Sequence, residues 1–203
     1  MMVRAIGLGL AGIAALGLAL VLVGTGYQEH ALQAAPAAPA TPERARVERA
    51  LADRVPKGPY IVIDQARNRL EVRRGGEVVI EAVCSSGSGM VLREEGGQGR
   101  QWVFDTPRGQ YAVKSKLKNP VWRKPDWAFI EEGVEPPADP GDRIEYGALG
   151  EYALYFGNGY MIHGTLYERL LGRSVTHGCI RLGRDNLAAV YRLCPVGTPI
   201  YIF

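Results

Sequence analysis

From residue 59 onward, apolar residues alternate with polar ones at a period of two, the spacing of a β-strand with one buried face. Asn68 and the pair Gly75-Gly76 separate the first three short runs, and such residues favour tight turns between antiparallel strands. We therefore predict an antiparallel meander at the start of this region. The runs that we predict as strands are residues 60–64, 69–73, 78–83, 110–116, 152–156, 160–162 and 198–203.

Composition favours a mainly β fold. The chain of 203 residues contains 26 glycines and 13 prolines, which are typical of many turns and short strands rather than a helical bundle. Two helices are predicted, one near residues 166–171 and one at 185–193, the second ended by Pro195 and Gly197. The expected fold is a β-sandwich or open barrel with one or two short helices against it.

The overall charge narrows the choice of partners. Lys and Arg number 24 against 21 Asp and Glu, which gives a net charge of +3. This is far below the basic excess expected of a nucleic-acid binder, so no nucleic acid is predicted as a partner. The 47% of apolar residues is ordinary for a globular domain and excludes a protein that spans the membrane many times.

The N-terminus carries a segment that we do not assign to the globular fold. Residues 5–26 contain no charge and follow Arg4, and a helix of this length spans the ~30 Å hydrocarbon core of a bilayer. We predict that residues 1–26 are a membrane anchor, or alternatively a signal peptide cleaved near Gly24-Thr25-Gly26. Arg4 would remain cytoplasmic, so both readings export the rest of the chain, either anchored and facing the periplasm and cell wall or secreted.

Residues 27–57 are predicted to form a tether, followed by a domain over residues 58–203. The stretch 31–40 is rich in Ala and Pro and lacks periodicity, as in an extended linker. Thr41-Pro42 resembles a helix start, and the helix would end before Pro56.

Two long segments interrupt the strand pattern of the domain. Residues 85–101 contain five glycines, so we expect this segment to be mobile. Residues 123–147 are too long for a simple connection. Aromatic rings favour an ordered lid packed on the domain, or alternatively serve only to pin the segment down. They are Trp122, Trp127, Phe129 and Tyr146. The acidic residues of this segment are expected to form a solvated face, or alternatively to steer an amine. They are Glu131, Glu132 and Glu135.

The chemistry is concentrated between His163 and Arg181. Cys179 is flanked by Gly178 and Arg181, and a thiol near a cation or base can act as a nucleophile. His163 could be that base if its strand returns beside the cysteine. Gly178 would let backbone N–H groups converge on an oxyanion, and Arg181 could hold a substrate carboxylate with two hydrogen bonds.

The spacing of His163-Gly164 and Thr176-His177-Gly178-Cys179-Ile180-Arg181 resembles the signature of the L,D-transpeptidase catalytic domain, of YkuD type. The resemblance covers about residues 58–203. It extends to the turn Thr106-Pro107-Arg108-Gly109, the strand end at residues 160–164 and the closing strand at 197–201.

The resemblance implies a mainly β fold in which Cys179 is the nucleophile and His163 the proton acceptor. It places the Gly164 carbonyl beside the imidazole, His177 and Gly178 in the catalytic loop, and Thr176 with Arg181 at the substrate. The implied reaction attacks the bond between the third residue, a diamino acid, and the D-Ala at position four of a peptidoglycan stem. It implies no cofactor or metal, and acylation by carbapenems.

The acyl acceptor is left open by the resemblance. It could be the amine of another stem, giving a 3→3 cross-link, a lipoprotein lysine, a D-amino acid or water. A hydrolase on the same scaffold and a non-catalytic wall-binding module are the alternatives. A zinc site made by His163, His177 and Cys179 lacks a fourth ligand and the usual ligand spacing.

The remaining two cysteines carry a weaker signal. We expect Cys84, at a strand end, and Cys194, at a helix end, to be buried as small apolar residues. A disulfide between them is the alternative in an oxidising compartment.

Overall fold

The computed structural model describes residues 41–96 and 99–203. The predicted anchor or signal segment and residues 27–40 of the predicted tether lie outside this part of the chain. Within the described residues, no helix combines the length and apolar character needed to cross a membrane. The chain divides into two units at Ala50 and Leu51, which are described separately.

Helix α1 spans Pro42–Ala52 and begins where the sequence predicts. The Thr41 hydroxyl accepts a hydrogen bond from the Arg44 backbone N–H at 3.2 Å, as an N-cap does. Arg44 also pairs with Glu48 one turn later, at 2.7 Å. No side chain of α1 is buried, so its apolar residues Val47 and Leu51 remain exposed.

The second unit is built on a nine-stranded sheet in the order β6-β13-β1-β2-β3-β12-β11-β10-β7. Its strands are β1 Pro59–Asp64, β2 Arg69–Arg74, β3 Glu77–Ser85, β6 Gly109–Ala112, β7 Ser115–Lys118, β10 Tyr152–Gly157, β11 Tyr160–His163, β12 Ile180–Leu182 and β13 Pro199–Ile202. The predicted meander is confirmed, because β1, β2 and β3 pair antiparallel in sequence. Two neighbouring pairs are parallel, β1 with β13 and β11 with β12.

The prediction of one strand over residues 110–116 is wrong. The chain forms β6 and β7 instead, and these strands lie at opposite edges of the sheet. Between them, the Val113 N–H donates to the Thr198 carbonyl at 2.9 Å, and the next N–H, of Lys114, donates to the Tyr155 carbonyl at 2.7 Å. Two consecutive residues can reach both edges only because the sheet is curled, which a period-two pattern cannot reveal.

The main core lies on one face of the curled sheet. Helix α3 spans Arg184–Leu193 and buries Leu187 and Val190 against it, as the sequence pattern predicts. Cys84 and Cys194 are fully buried in the same core and unpaired, which confirms their predicted role as small apolar residues. Burial raises the pKa of the Cys84 thiol to about 12 and that of Cys194 to about 11.

Both long segments have regular structure. Strands β4 Val91–Arg93 and β5 Gln101–Val103 form a hairpin within the region that we expected to be mobile. In the lid segment, β8 Val121–Arg123 pairs with β9 Ile144–Tyr146, and these strands enclose helix α2, Asp126–Glu131, and a short 3₁₀ helix, Pro140–Arg143. A further 3₁₀ turn, Glu168–Leu170, falls where a short helix was predicted.

Candidate active site

The register of β11 and β12 brings the predicted base and the predicted nucleophile to one face of the sheet. These parallel strands pair Ile162 with Ile180 and His163 with Arg181. Ile162 and Ile180 are fully buried in the main core. Because side chains alternate along a strand, His163 and Arg181 face the other side, together with Cys179 just before β12. The strand of His163 therefore does return beside Cys179.

The Cys179 thiol is partly enclosed. It packs against a small apolar cluster of Leu149, Ala153 and Met161, and its Sγ lies 4.0 Å from the Gly159 carbonyl oxygen. Burial raises the pKa of this thiol, while a backbone hydrogen bond from Met161 and the charge of Arg181 oppose the rise. Burial thus favours a neutral thiol over a thiolate at rest.

His163 is 5% exposed at the end of β11. Burial and the neighbouring Arg181 charge lower the pKa of its imidazole to about 4, against the opposing influence of the Gly164 backbone. The ring is therefore neutral at neutral pH. Its buried Nδ1 has no hydrogen-bond partner within the described residues.

The position after His163 requires glycine for steric reasons. A Cβ on Gly164 would lie 3.0 Å from the Gly150 Cα, and one on Gly150 would lie 2.9 Å from the Gly164 Cα. The two backbones meet through a hydrogen bond from the Gly164 N–H to the Leu149 carbonyl at 2.8 Å. Both glycines line a cavity of about 450 Å³. Sequence analysis identified Gly164 and missed Gly150.

Thr176 holds the loop that carries Cys179. Its buried hydroxyl donates to the Cys179 carbonyl at 2.6 Å and accepts from the Gly178 N–H at 3.1 Å. The Thr176 N–H donates to the Ser86 carbonyl at 2.9 Å. Thr176, predicted at the substrate, thus bonds its own loop, and its hydroxyl engages the Gly178 N–H.

Gly178 occupies a place that a side chain would not fit. Its φ of +115° is a conformation that residues other than glycine rarely adopt. A Cβ here would lie 2.6 Å from a ring carbon of Tyr160 and 2.8 Å from the Asp105 carbonyl oxygen. Cys179 can lie this close to β11 only because the preceding residue has no side chain.

Arg181 is a half-buried cation without a counter-ion. Within the described residues, its guanidinium takes part in no ion pair or side-chain hydrogen bond. Burial lowers its pKa, and the Cys179 sulfur opposes that shift. A desolvated guanidinium beside Cys179 is suited to bind an anionic group of a ligand.

Comparison with known proteins identifies the family of the domain that carries these residues. The sequence model of the YkuD family, described as the L,D-transpeptidase catalytic domain, matches residues 58–202. The chain belongs to the L,D-transpeptidase family. Within the described residues, no group of three or more His, Cys, Asp or Glu is placed to hold a metal ion.

Relatives of this L,D-transpeptidase family member cover different shares of its length. YqjB of Bacillus subtilis, provisionally named an L,D-transpeptidase, is 31% identical over 73% of each chain. ErfK/SrfK of Salmonella typhimurium, named a probable L,D-transpeptidase, is 33% identical over 75% of this chain and 46% of its own. The chain therefore spans about half the length of that relative.

Solved structures share the fold. The L,D-transpeptidase of Xylanimonas cellulosilytica aligns with a TM-score of 0.54 and 22% identity, over 80% of this chain and 70% of that one. The enzyme of Mycobacterium smegmatis aligns with a TM-score of 0.51 and 26% identity, over 71% of this chain and 58% of that one. The mainly β fold with a curled sheet and few helices is thus the fold of L,D-transpeptidase structures.

Thr106 is a residue of the site that sequence analysis recognised only as part of a turn. Its buried hydroxyl accepts from the Gly87 N–H and donates to the Gly178 carbonyl, each at 2.8 Å. It therefore joins three segments at the Cys179 loop of this L,D-transpeptidase family member. The sequence offered one indication of Thr106, its place in the Thr-Pro-x-Gly turn, but the hydrogen-bond partners of its hydroxyl are not evident from the sequence.

We expect Thr106→Val to destabilise the domain by about 1–3 kcal/mol, because it leaves the part-buried Gly87 N–H and the buried Gly178 carbonyl without their partner. Thr198→Val is the matched control, since the Thr198 hydroxyl is buried and makes no hydrogen bond in the structure. That variant should be neutral or slightly more stable. Urea unfolding of both variants tests the expectation, and equal losses would contradict it.

Proposed function

We propose that this family member is a cysteine-dependent peptidoglycan L,D-transpeptidase that transfers the acyl group of a stem peptide to an amine. The observation that carries the proposal is the juxtaposition of Cys179 and the buried, neutral His163 on one sheet face, beside Arg181, which has no ion-pair partner in the described part of the chain. A nucleophile, a proton acceptor and a carboxylate-binding cation are the groups that such acyl transfer needs.

The neutral thiol and neutral imidazole define the first chemical step. His163 accepts the Cys179 proton as the sulfur attacks the carbonyl carbon of the diamino acid at position three. The new S–C bond forms, the C–N bond to D-Ala breaks, and His163 returns the proton to the departing amine. An acceptor amine then attacks the thioester carbonyl, a new C–N bond forms and the S–C bond breaks. His163 takes the proton of the amine and passes it to the departing sulfur, which restores the thiol. The thioester conserves the energy of the cleaved amide, so the proposed reaction uses no cofactor.

Arg181 supplies substrate recognition in this scheme. The D-Ala that leaves carries a free carboxylate, and a guanidinium binds a carboxylate through two parallel hydrogen bonds. The half-buried position of Arg181 strengthens such a pair, since little water competes for it. The cation would thereby hold the leaving residue while the thiol attacks the bond before it.

The surroundings of the enzyme follow from its proposed substrate. Stem peptides lie outside the cytoplasm, so the proposal includes export, with residues 1–26 as an inner-membrane anchor or a cleaved signal. The acceptors that we propose are another stem, a lipoprotein lysine or a D-amino acid. These acceptors share an accessible amine.

The full-length chain incubated with disaccharide-tetrapeptide, followed by mass analysis of the products, tests the proposed function. A cross-linked dimer that has lost one D-Ala supports transpeptidation. Tripeptide alone would replace the proposal with hydrolysis on the same site, and an unchanged substrate would overturn the catalytic proposal.

β-Lactams provide a test of Arg181. The solved L,D-transpeptidase 3 of Mycobacterium tuberculosis carries a faropenem-derived adduct. We expect a carbapenem to acylate Cys179 here and a penicillin to do so much less, and we expect Arg181→Ala to slow acylation about 10- to 100-fold through loss of the grip on the drug carboxylate. Intact-protein mass followed by peptide mapping gives the rate and the position of the adduct.

Arg184→Ala is the matched control for this measurement, because Arg184 pairs with Glu151 at 3.0 Å and is mostly exposed. It should acylate at the rate of the unaltered protein. An undiminished rate in Arg181→Ala would remove Arg181 from the substrate site, and an adduct on Cys84 or Cys194 would contradict the assigned nucleophile.

A further inference from the structure

The side chain of His177 leaves the nucleophile loop and enters the lid. Its ring stacks on Trp127 with centroids 4.2 Å apart and meets the edge of Phe104 at 4.4 Å. Its Nε2 lies 2.8 Å from Oε2 of Glu131, the last residue of α2. A carboxylate can only accept a hydrogen bond, so Nε2 carries the proton and donates it, whatever the charge of the ring.

The backbone of His177 is already held on both sides. The Thr176 hydroxyl bonds to Gly178 N–H and to the Cys179 carbonyl, and the Gly178 carbonyl accepts from Thr106. Contacts with Trp127 and Glu131 of the lid and with Phe104 therefore set the orientation of the imidazole. Because His177 lies two residues before Cys179, a shift of its ring is transmitted to the nucleophile through a very short stretch of chain.

The lid also covers the surroundings of Cys179. Trp122, at the base of the lid in β8, packs on the same apolar cluster of Leu149, Ala153 and Met161 as Cys179 does, and its ring lies 6.0 Å from that of Trp127. Contacts thus run from Cys179 through this cluster to Trp122, and from there through Trp127 to His177.

Helix α2 is fastened at both ends. At its start, Asp126 pairs with Arg143 of the lid at 2.5 Å and with Arg100, which precedes β5. At its end, Glu131 is the residue that bonds the nucleophile loop. The neighbouring Glu132 instead pairs with Lys124 at 2.7 Å, a contact within the lid.

We propose that Glu131 is a positioning residue that acts through His177 to seat the lid against the Cys179 loop. The expected effect on turnover rests on the proposed function. The side chains of Glu131 and His177 are 43% and 26% exposed, and pairs so accessible contribute only about 0–1 kcal/mol to stability. A displaced nucleophile can nevertheless cost about 100-fold in rate, so the pair should affect turnover far more than folding.

The test compares Glu131→Ala, Glu131→Gln, His177→Ala, the double variant and Glu132→Ala as the matched control. We expect Glu131→Ala to lower kcat for tetrapeptide about 10-fold with little change in KM and in melting temperature. Glu131→Gln, which keeps a hydrogen-bond acceptor, should recover most of kcat. Because Glu131 acts through His177, the double variant should be no slower than His177→Ala alone.

A second readout needs no substrate and separates the two proposals. Release of the lid exposes Cys179, so alkylation of Cys179 by iodoacetamide, followed by peptide mapping, should be several-fold faster in Glu131→Ala and unchanged in Glu132→Ala. If the variants show this pattern of alkylation rates but the unaltered protein does not turn over tetrapeptide, only the proposed function fails. Unaltered kcat and alkylation in Glu131→Ala would overturn the positioning role. Multiplying effects in the double variant, or an equal loss in Glu132→Ala, would also overturn it.

Discussion

Cys179→Ala should lower acyl transfer at least about ten-thousandfold while the domain remains folded, because the binding groups that remain cannot replace the covalent bond to the substrate. Cys179 is the thiol that shares a sheet face with His163 and Arg181, and its removal deletes no core contact in the main cluster. Product formation from disaccharide-tetrapeptide, measured by mass, gives the activity, and a thermal unfolding curve reports the fold.

Cys84→Ala and Cys194→Ala are the controls for the nucleophile. Both thiols are fully buried in the main core, so each substitution should cost about 1–3 kcal/mol of stability and leave turnover intact at a temperature where the protein is folded. Turnover retained in Cys179→Ala would refute the mechanism.

His163→Ala should slow acylation about 10²- to 10⁴-fold, since a positioned general base contributes a factor of that size. His177→Ala should slow it less, because the His177 ring bonds the lid instead of facing the nucleophile with Arg181. Single-turnover acylation by a carbapenem measures both variants without product release. A greater loss in His177→Ala would mean that the two roles are reversed.

The pH dependence of the unaltered protein checks the same assignment. Burial lowers the pKa of His163 to about 4 and raises that of Cys179 above its ordinary value, so both groups are neutral at neutral pH. A raised thiol pKa means less thiolate at neutral pH than in free cysteine, and alkylation of Cys179 should therefore increase steadily as the pH rises above neutrality. A plateau of the alkylation rate from pH 5 to 8 would instead indicate a resting thiolate–imidazolium pair.

Much of the fold was predictable from local pattern. The alternation of apolar residues located β1, β2 and β3, and the apolar spacing followed by Pro195 located α3. The short strands β4, β5, β8, β9 and β12, of three residues each, were missed because three residues do not establish a period. The assignment of residues 110–116 to one strand failed because β6 and β7 have the same alternation but pair with opposite edges of a curled sheet.

The candidate nucleophile and base could be named from the sequence because their chemistry is a property of residue type and local spacing. Cys179, His163 and Arg181 stand out by their neighbours along the chain, and the structure adds that adjacent parallel strands place them on one face. The direction of the pKa shifts of Cys179 and His163 could be given only by the structure. Burial causes these shifts, and burial depends on which segments fold over the site.

The residues that hold the site in place were decided by tertiary structure. Thr106 bonds Gly178 across 72 positions of sequence, and Glu131 bonds His177 across 46. Gly150 and Gly164 meet only where the lid segment returns to β11. A threonine, a glutamate or a glycine has no chemical feature that identifies such a partner. The curl of the sheet and the path of the lid bring these residues together, because both result from burying one shared core rather than from any local pattern.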